Sequence, residues 1–443
     1  MKDKKFYVTT PIYYPSGKPH IGHAFTTIYA DVLCRYKKLI GFDAFMLTGM
    51  DEHGQKIERA AKEANKSPKE YVDEMGKVFF DLWKLLNINY SGFIKTSDPQ
   101  HEQVVQQVFQ EFQDNKYIYM GEWTGLYCIS CEENYTEQQA HKNEHDEWLC
   151  QFGHKLTYRK EPSLFFKMSE FTSWIKQWYS DHPEFIIPAA RVNELINSFL
   201  HDSLQDLSVS RSTFTWGVPV LSNPEHVIYV WIDALLNYLT ALGYRTKNDQ
   251  LFQKYWMDPN CEIVHIMSKE ITRFHCIYWP IMLHCLKLRQ PSKIVSHGWI
   301  VTKEGKMSKS LGNVIDPIVY VKQYGADALR YFLMKEMSLD RDGIFSHDLF
   351  IECFNADLAN IFGNLVSRLL GMVHKYNNGT VQKGTAPISA ITKELIEHGE
   401  KVIQEVVNDI NNYRINDLID HILTFAKRAN RYVEETKPWE LVK

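Results

Sequence analysis

The sequence predicts an α/β fold built on a parallel sheet, and three observations carry that prediction. Short apolar runs alternate with helical stretches over residues 1–115, and the alternation resumes after 226. A turn leading into a histidine-bearing helix start follows the first run directly, and polar residues cluster where runs end. FYVTT (6–10) reads as a strand and PSGKP (15–19) as a turn. From Ile21 the apolar positions Phe25, Ile28, Val32, Leu33, Tyr36 and Ile40 keep a helical spacing, and Gly41 supplies a stop. AFMLTG (44–49) is a buried-strand run delivering Asp51, Glu52 and His53, and a helix rich in Ala, Lys and Glu follows. FIKTSDPQHEQVVQQVFQEFQ (93–113) repeats the order of strand, cap and helix. On such a sheet ligands sit at the carboxyl ends of strands, where helix N-termini point. His20, His23 and Asp51 all fall there.

Residues 116–225 break this rhythm. They are aromatic and irregular, with short strand-like pieces and grouped cysteines, and read as an insertion. The α/β pattern returns over 226–300: VIYVWIDALLNYLTAL is a strand end entering a helix, EIVHIMSKEITRFHCIYWPIMLHCL a strand and then a helix, and KIVSHGWIV one further strand. The stretch 301–345 opens on the loop TKEGKMSKSLGN, and 346–443 is expected to be helical throughout.

Composition narrows the function classes. With 44% hydrophobic and 23% charged residues, the chain is expected to be an ordinary soluble protein of several domains. No apolar run approaches the ~20 residues of a membrane span, and the start lacks the apolar core of a secretory leader, so a cytoplasmic location without membrane contact is expected. A net charge of −4 gives no global nucleic-acid footprint, leaving local clusters such as RYKK (35–38) and KEGKMSKS (303–310) to meet any polyanion. Five of the eight cysteines (Cys34, Cys261, Cys276, Cys285, Cys353) are scattered, as packed thiols in a reducing compartment are.

The histidines of HIGH, His20 and His23, could bind metal given a further ligand. A nucleotide suits their setting better: N–H groups at a helix start accept phosphate, imidazoles can donate to charge developing on a triphosphate, and Gly22 lets a flat base approach the backbone. Their companion is KMSKS, whose Lys306 lies 283 residues after His23. Two lysines three apart, Lys306 and Lys309, suit clamping of a pyrophosphate. HIGH followed by KMSKS resembles the pair of motifs of class I aminoacyl-tRNA synthetases. TPIYYPSGKPHIGHA, LTGMDEHGQKI, YCISCEENYT, YVWIDALLNY and HGWIVTKEGKMSKSLGN further resemble the methionyl-tRNA synthetase family, through nearly the whole chain. The leucine, isoleucine and valine enzymes share both motifs but carry a much larger editing insertion.

That resemblance implies a Rossmann-type catalytic domain split by a zinc-knuckle connective insertion, a stem-contact region around KMSKS, and a helical anticodon-binding bundle. It implies that His20, His23, Lys306 and Lys309 act on the phosphates of ATP, which Mg²⁺ accompanies. Gly22, Glu270, His297, Gly298 and Ile300 would complete the ATP site. Methionine would be lined by Ile12, Tyr14, Trp231, Ala234, Leu235, Tyr238, Ile271 and His275, with Asp51 on its ammonium group. Aromatic rings suit a thioether, and a buried carboxylate at a strand end needs a partner. Arg211 would have a supporting role near the site.

Cys128 and Cys131 form a C-x₂-C half-site, followed after eighteen residues by Cys150 and then His154. The family often has a second C-x₂-C; here the second half is C-x₃-H. A structural Zn²⁺ is expected, with His154 as fourth ligand and His145 and His141 as alternatives. In the tail, Asn364, Arg368 and Trp439 fall where the family reads the anticodon of tRNA(Met). Relatives are expected to continue past Lys443 with more bundle helices, so the bundle is expected to be C-terminally shortened. No appended dimerisation domain is read, and a monomer is expected. The competing activities are another HxGH-type nucleotidyl transferase, another class I synthetase, or a non-catalytic tRNA-binding relative.

Overall fold

Lys5–Tyr13 runs near the middle of a six-stranded sheet whose order is Gly92–Lys95, Asp43–Met50, Lys5–Tyr13, Cys261–Ser268, Lys293–His297 and Ile186–Ile187. The first strand pairs in parallel with both of its neighbours. A strand covered on both faces reads as a continuous buried run rather than an alternation, and Phe6 through Thr10 are all buried. The two threonines in that run are satisfied: Thr10 donates to Thr48 Oγ1 at 2.8 Å, and Thr9 Oγ1 lies 2.7 Å from His265 Nδ1. The computed structural model that shows this describes residues 4–441 apart from 136, 138, 308–311 and 382–386.

The chain forms two units, Met1–Pro19 with Tyr29–Ser296, and His20–Ile28 with His297–Lys443. In the first, the register between Lys5–Tyr13 and Asp43–Met50 shifts between Thr9 and Ile12. Such an irregularity re-aims side chains, and this one sits at the strand's carboxyl end. Gly49, opposite Ile12, has no room for a side chain, because a Cβ there would lie 2.3 Å from the Ile94 carbonyl oxygen. The 116–225 stretch contributes a four-stranded sheet ordered Leu207–Ser208, Thr157–Phe166, Ile118–Cys128, Glu133–Tyr135, dominated by one long antiparallel pair.

Three details differ from the sequence reading. KIVSHGWIV is two strands, not one: Lys293–His297 belongs to the six-stranded sheet, Ile300–Thr302 to a three-stranded one. The break falls at Gly298, where a Cβ would come within 2.3 Å of the Arg341 carbonyl oxygen. Ile186–Ile187, from within the expected insertion, pairs with Lys293–His297 at the edge of the main sheet. The helix after Cys261–Ser268 is composite: a 3₁₀ turn (Lys269–Ile271), a π-helical turn (Phe274–Tyr278), then Trp279–Cys285. Pro280 removes the N–H that would bond the Cys276 carbonyl, and the Tyr179 hydroxyl donates to that oxygen instead, at 2.6 Å.

In the second unit Ile300–Thr302 pairs with Gly305–Lys306 and Gly343–Ile344. Helices follow, of which Ala390–Asn411 and Ile415–Thr436 pack together, tied by Arg428 to Glu394 and by the Thr392–Tyr432 hydroxyl pair. No described helix is long and apolar enough to cross a membrane.

Candidate active site

In the second unit, His20 and His23 stand at the turn into the helix Ile21–Leu39. The His20 backbone N–H donates to His23 Nδ1 at 3.0 Å, and the Gly22 N–H donates to His20 Nδ1 at 3.1 Å. A ring nitrogen that accepts carries no hydrogen, so each neutral ring keeps its hydrogen on Nε2 and presents one N–H. The ring centroids are 4.0 Å apart. The two spacers have separate reasons. Ile21 is fully buried, and a Cβ at residue 22 would come within 2.9 Å of the His20 ring. Among the described residues no metal-binding cluster includes this pair.

The Ile21 N–H donates to the Ile315 carbonyl at 3.0 Å, which brings the chain just past KMSKS to the histidine turn. Phe25 meets the His297 ring edge-on with centroids 4.7 Å apart, and Thr26 Oγ1 lies 2.8 Å from His297 Nε2. His297 Nδ1 lies 2.7 Å from the Gly298 carbonyl oxygen, and Ile300 is buried in the strand beyond. Lys306 Nζ sits 4.1 Å from the centroid of Trp299, a cation–π position. Lys309 lies outside the described residues.

In the first unit, Asp51 ends the strand Asp43–Met50. It is 8% exposed, and its Oδ1 has no hydrogen-bond partner. Burial first, then the carboxylates of Asp233 and Glu132, hold its pKa well above the usual carboxylate range, while His53 pulls the other way. A buried carboxylate short of a donor and crowded by like charge favours an incoming cation. Asp51 also acts on Tyr14 and Tyr238, whose phenols are raised chiefly by burial.

The His275 ring is fixed from both sides. Its Nδ1 faces the Ile271 carbonyl at 3.0 Å and its Nε2 faces the Tyr238 hydroxyl at 2.7 Å. A carbonyl can only accept, so Nδ1 carries the hydrogen and Nε2 accepts from Tyr238. Burial lowers the His275 pKa to about 4, which keeps the ring neutral. Trp231 stacks on Phe274 at 3.7 Å and 3°, an arrangement worth about 0.5–1.5 kcal/mol beyond its area. Ile12, Tyr14, Trp231 and Ile271 pack partly buried on the core that holds Leu235 and Tyr238, and Ala234 is buried on the helix Val230–Leu235. Glu270 lies exposed on the turn Lys269–Ile271.

The sequence reading gave no role to several residues here. Glu132, next to Cys131, accepts from the Tyr14 hydroxyl at 2.7 Å and from the Lys56 N–H at 3.0 Å. Phe274 supplies the face under Trp231. His53, Asp233 and His101 form one bonded group. "DEHG" and "YVWIDALLNY" contain two of the three, but nothing local marks them as partners.

The grouped cysteines converge. Donor atoms of Cys128, Cys131, Cys150 and His154 lie within 4.8 Å of one another. Cys131 Sγ is 3.9 Å from Cys150 Sγ, close to the ~3.8 Å edge of a zinc–thiolate tetrahedron with Zn–S bonds of ~2.3 Å. His154 Nδ1 is 3.2 Å from Cys131 Sγ and 3.5 Å from Cys150 Sγ. Backbone N–H groups of Cys131, Phe152 and His154 point at the sulfurs, as they do toward thiolates. Hydrogen bonds with the other two thiols, and then burial, push the Cys131 thiol up. Such a set fits a tetrahedral divalent cation, with His154 as the histidine that lies beside the thiols.

Arg211 is fully buried, with one guanidinium nitrogen on Ser208 and Ser210 and its Cζ 4.5 Å from the Tyr229 ring centroid. In the helical tail Asn364 is exposed. Arg368, one turn on, pairs with Glu434 at 2.8 Å, and Trp439 is half-buried on the short helix Pro438–Leu441.

A parallel sheet with a HIGH turn opening its first helix, and a later strand leading into KMSKS, are together the marks of class I aminoacyl-tRNA synthetases. Comparison with known proteins agrees. The chain belongs to the family described as tRNA synthetases class I (M), whose family model matches residues 6–370. It is 55% identical to the methionine–tRNA ligase of Ureaplasma parvum over 443 residues, covering all of this chain and 85% of that one. It is 45% identical to that of Lactococcus lactis, covering all of this chain and 67% of that protein. The solved structure of Mycobacterium tuberculosis methionyl-tRNA synthetase in complex with methionyl-adenylate superposes with a TM-score of 0.95 at 35% identity, covering 99% of this chain and 85% of that one.

Proposed function

We propose that the protein activates methionine with ATP and then transfers it to tRNA(Met). A methionine carboxylate oxygen attacks the α-phosphorus, pyrophosphate leaves, and methionyl-adenylate forms. A ribose hydroxyl of the terminal adenosine of the tRNA then attacks the acyl carbon and AMP leaves. The first step needs little proton transfer, so positioning and charge stabilisation do most of the catalysis. His20 and His23 each offer an Nε2–H to oxygens on the reacting phosphorus. Lys306 and Lys309 hold the departing pyrophosphate, Mg²⁺ travels with the nucleotide, and Gly22, Glu270, His297, Gly298 and Ile300 border the adenosine.

Asp51 takes the ammonium group, relieving its own crowded charge. Ile12, Tyr14, Trp231, Ala234, Leu235, Tyr238, Ile271 and His275 surround the side chain. Cys128, Cys131, Cys150 and His154 hold a structural Zn²⁺, which would cross-link the knuckle and supply no chemistry to the reaction. Asn364, Arg368 and Trp439 read the anticodon, for which Arg368 would have to release Glu434. The protein works as a cytoplasmic monomer, organised as a catalytic sheet (1–115 and 226–300), a connective insertion (116–225), a KMSKS region (301–345) and a helical anticodon-binding domain (346–443).

The observation that carries the reading is the meeting of the histidine turn with the chain that flanks the KMSKS lysines, Ile21 on Ile315. Methionine-dependent exchange of labelled pyrophosphate into ATP tests it. Exchange that needs methionine is expected. Exchange driven by another amino acid, or by none, would point to a different synthetase or nucleotidyl transferase.

A further inference from the structure

Behind the Asp51 strand end lies a group of buried ionisable residues for which the adenylation chemistry has no use. Asp233, in the helix Val230–Leu235, is 1% exposed, and imidazoles take both of its carboxylate oxygens. His53 Nδ1 donates to one at 2.7 Å, and His101 Nε2 donates to the other at 2.7 Å. The second nitrogens are also engaged: His53 Nε2 lies 3.3 Å from Glu102 Oε1, and His101 Nδ1 lies 2.7 Å from Thr240 Oγ1. A buried ion pair earns little net stability over an apolar packing of the same volume, so its retention asks for another reason.

Its position supplies one. His53 stands two residues after Asp51. The intervening Glu52 is pinned through its N–H to Thr96 Oγ1 at 2.8 Å and through its carbonyl, which accepts from the Trp216 indole. Trp216 in turn meets the His53 ring edge-on, with centroids 5.4 Å apart. Asp233 is flanked on its helix by Trp231, Ala234 and Leu235. The group therefore joins the strand end bearing the ammonium-binding carboxylate to the helix that lines the amino-acid side chain. Charge adds a second link, since Asp233 and His53 act on Asp51 in opposite senses. Burial alone would lower the His53 pKa, but Asp233 and Glu102 raise it to about 10, so the ring is an imidazolium at neutral pH.

We infer that His53, Asp233 and His101 are a positioning network for the amino-acid substrate, locking Asp51 against the Trp231 helix and so setting methionine affinity without touching the nucleotide. The inference rests on the methionine-activating function proposed above. Its test is pyrophosphate exchange with each substrate varied in turn, on the wild type, His53→Gln, Glu102→Gln, Asp233→Asn and the double variant His53→Gln/Asp233→Asn, with melting temperature measured alongside. His53→Gln is expected to raise the KM for methionine about tenfold, with the KM for ATP and kcat within about twofold. Asp233→Asn should act in the same direction, and the double variant should be no worse than its worse parent, as groups in one network behave.

Glu102 touches only the outer nitrogen of His53 and is half-exposed, so Glu102→Gln should raise the methionine KM about threefold. It also decides the matter if Asp233→Asn does not fold. Methionine KM values within about twofold of wild type in both His53→Gln and Glu102→Gln would overturn the network. A parallel rise in both KM values with a falling melting temperature would also overturn it, by marking the group as general scaffolding. Absence of methionine-dependent exchange in the wild type would sink the underlying function instead, and is read before any variant is made.

Discussion

Tyr238 donates its hydroxyl hydrogen to Nε2 of His275 across 2.7 Å, and the Ile271 carbonyl holds the opposite side of the same ring. The pair is buried, so neither partner has water as a substitute. Tyr238→Phe would leave the His275 acceptor unsatisfied at a cost of about 1–3 kcal/mol. The KM for methionine in pyrophosphate exchange should rise by about tenfold or more, with ATP dependence unchanged. A Tyr238→Phe enzyme with wild-type methionine KM would remove this pair from the amino-acid site.

In the activation step proposed above His20 and His23 would act through Nε2, because backbone N–H groups occupy Nδ1 in both rings. Removing one donor to charge that develops in the transition state typically costs about 10²–10³ in kcat. His20→Ala is expected to lose activity in that range, and Lys309→Ala to slow activation by acting on pyrophosphate, while methionine binding measured by calorimetry stays the same in both. Loss of methionine affinity in Lys309→Ala with normal ATP use would contradict its assignment.

Asp51→Ala should do the reverse. Asp51 Oδ1 has no hydrogen-bond partner and its carboxylate acts on both Tyr14 and Tyr238, whereas the neighbouring Glu132 carboxylate already accepts from the Tyr14 hydroxyl and the Lys56 N–H, so Asp51 offers an ammonium group a charge-assisted bond. Calorimetry should show methionine binding weakened by more than about tenfold. Unchanged binding would send the ammonium elsewhere.

How far the sequence carries depends on sequence distance. HIGH and KMSKS are contiguous words, and Asp51 sits at the end of an apolar run, so each can be read in place. The partners of Asp233 stand 180 residues away at His53 and 132 residues away at His101, and no local pattern joins them. Ile186–Ile187 is too short to show a strand period, yet it pairs at the edge of the main sheet. The strand break at Gly298 depends on the Arg341 backbone, which only the folded chain brings near. The knuckle lies between these cases: its spacing names the thiols, and the folded chain is what shows His154 beside them.

The knuckle should bind one divalent cation per chain. Its small cluster of Leu126, Cys128, Tyr135, Cys150 and Leu156 is slight on its own, so the metal is expected to order it. Cys150→Ser should lose zinc by elemental analysis and lower the melting temperature. Chelation of the wild type should give the same shift, and a chelated protein that keeps its melting temperature would rule out a structural ion.

Two histidines should give the stability profile opposite slopes. His53 has its pKa raised in the folded chain to about 10 from 6.5, because Asp233 and Glu102 overcome the burial that would lower it. Its contribution is therefore complete below about pH 6.5 and is lost as pH rises toward about 10. His275 is lowered by burial to about 4, so the unfolded chain binds its proton more tightly. Its contribution is complete above about pH 6.5 and is lost as pH falls toward about 4. Denaturant unfolding from pH 4.5 to 9.5, within the windows these two values set, should show His53→Gln flattening the alkaline limb and His275→Asn the acid limb, each relative to wild type. Slopes rather than absolute stabilities carry the comparison, so a general loss of stability in either variant does not confuse it. Parallel wild-type and variant curves across both limbs would show that neither imidazole is coupled to folding.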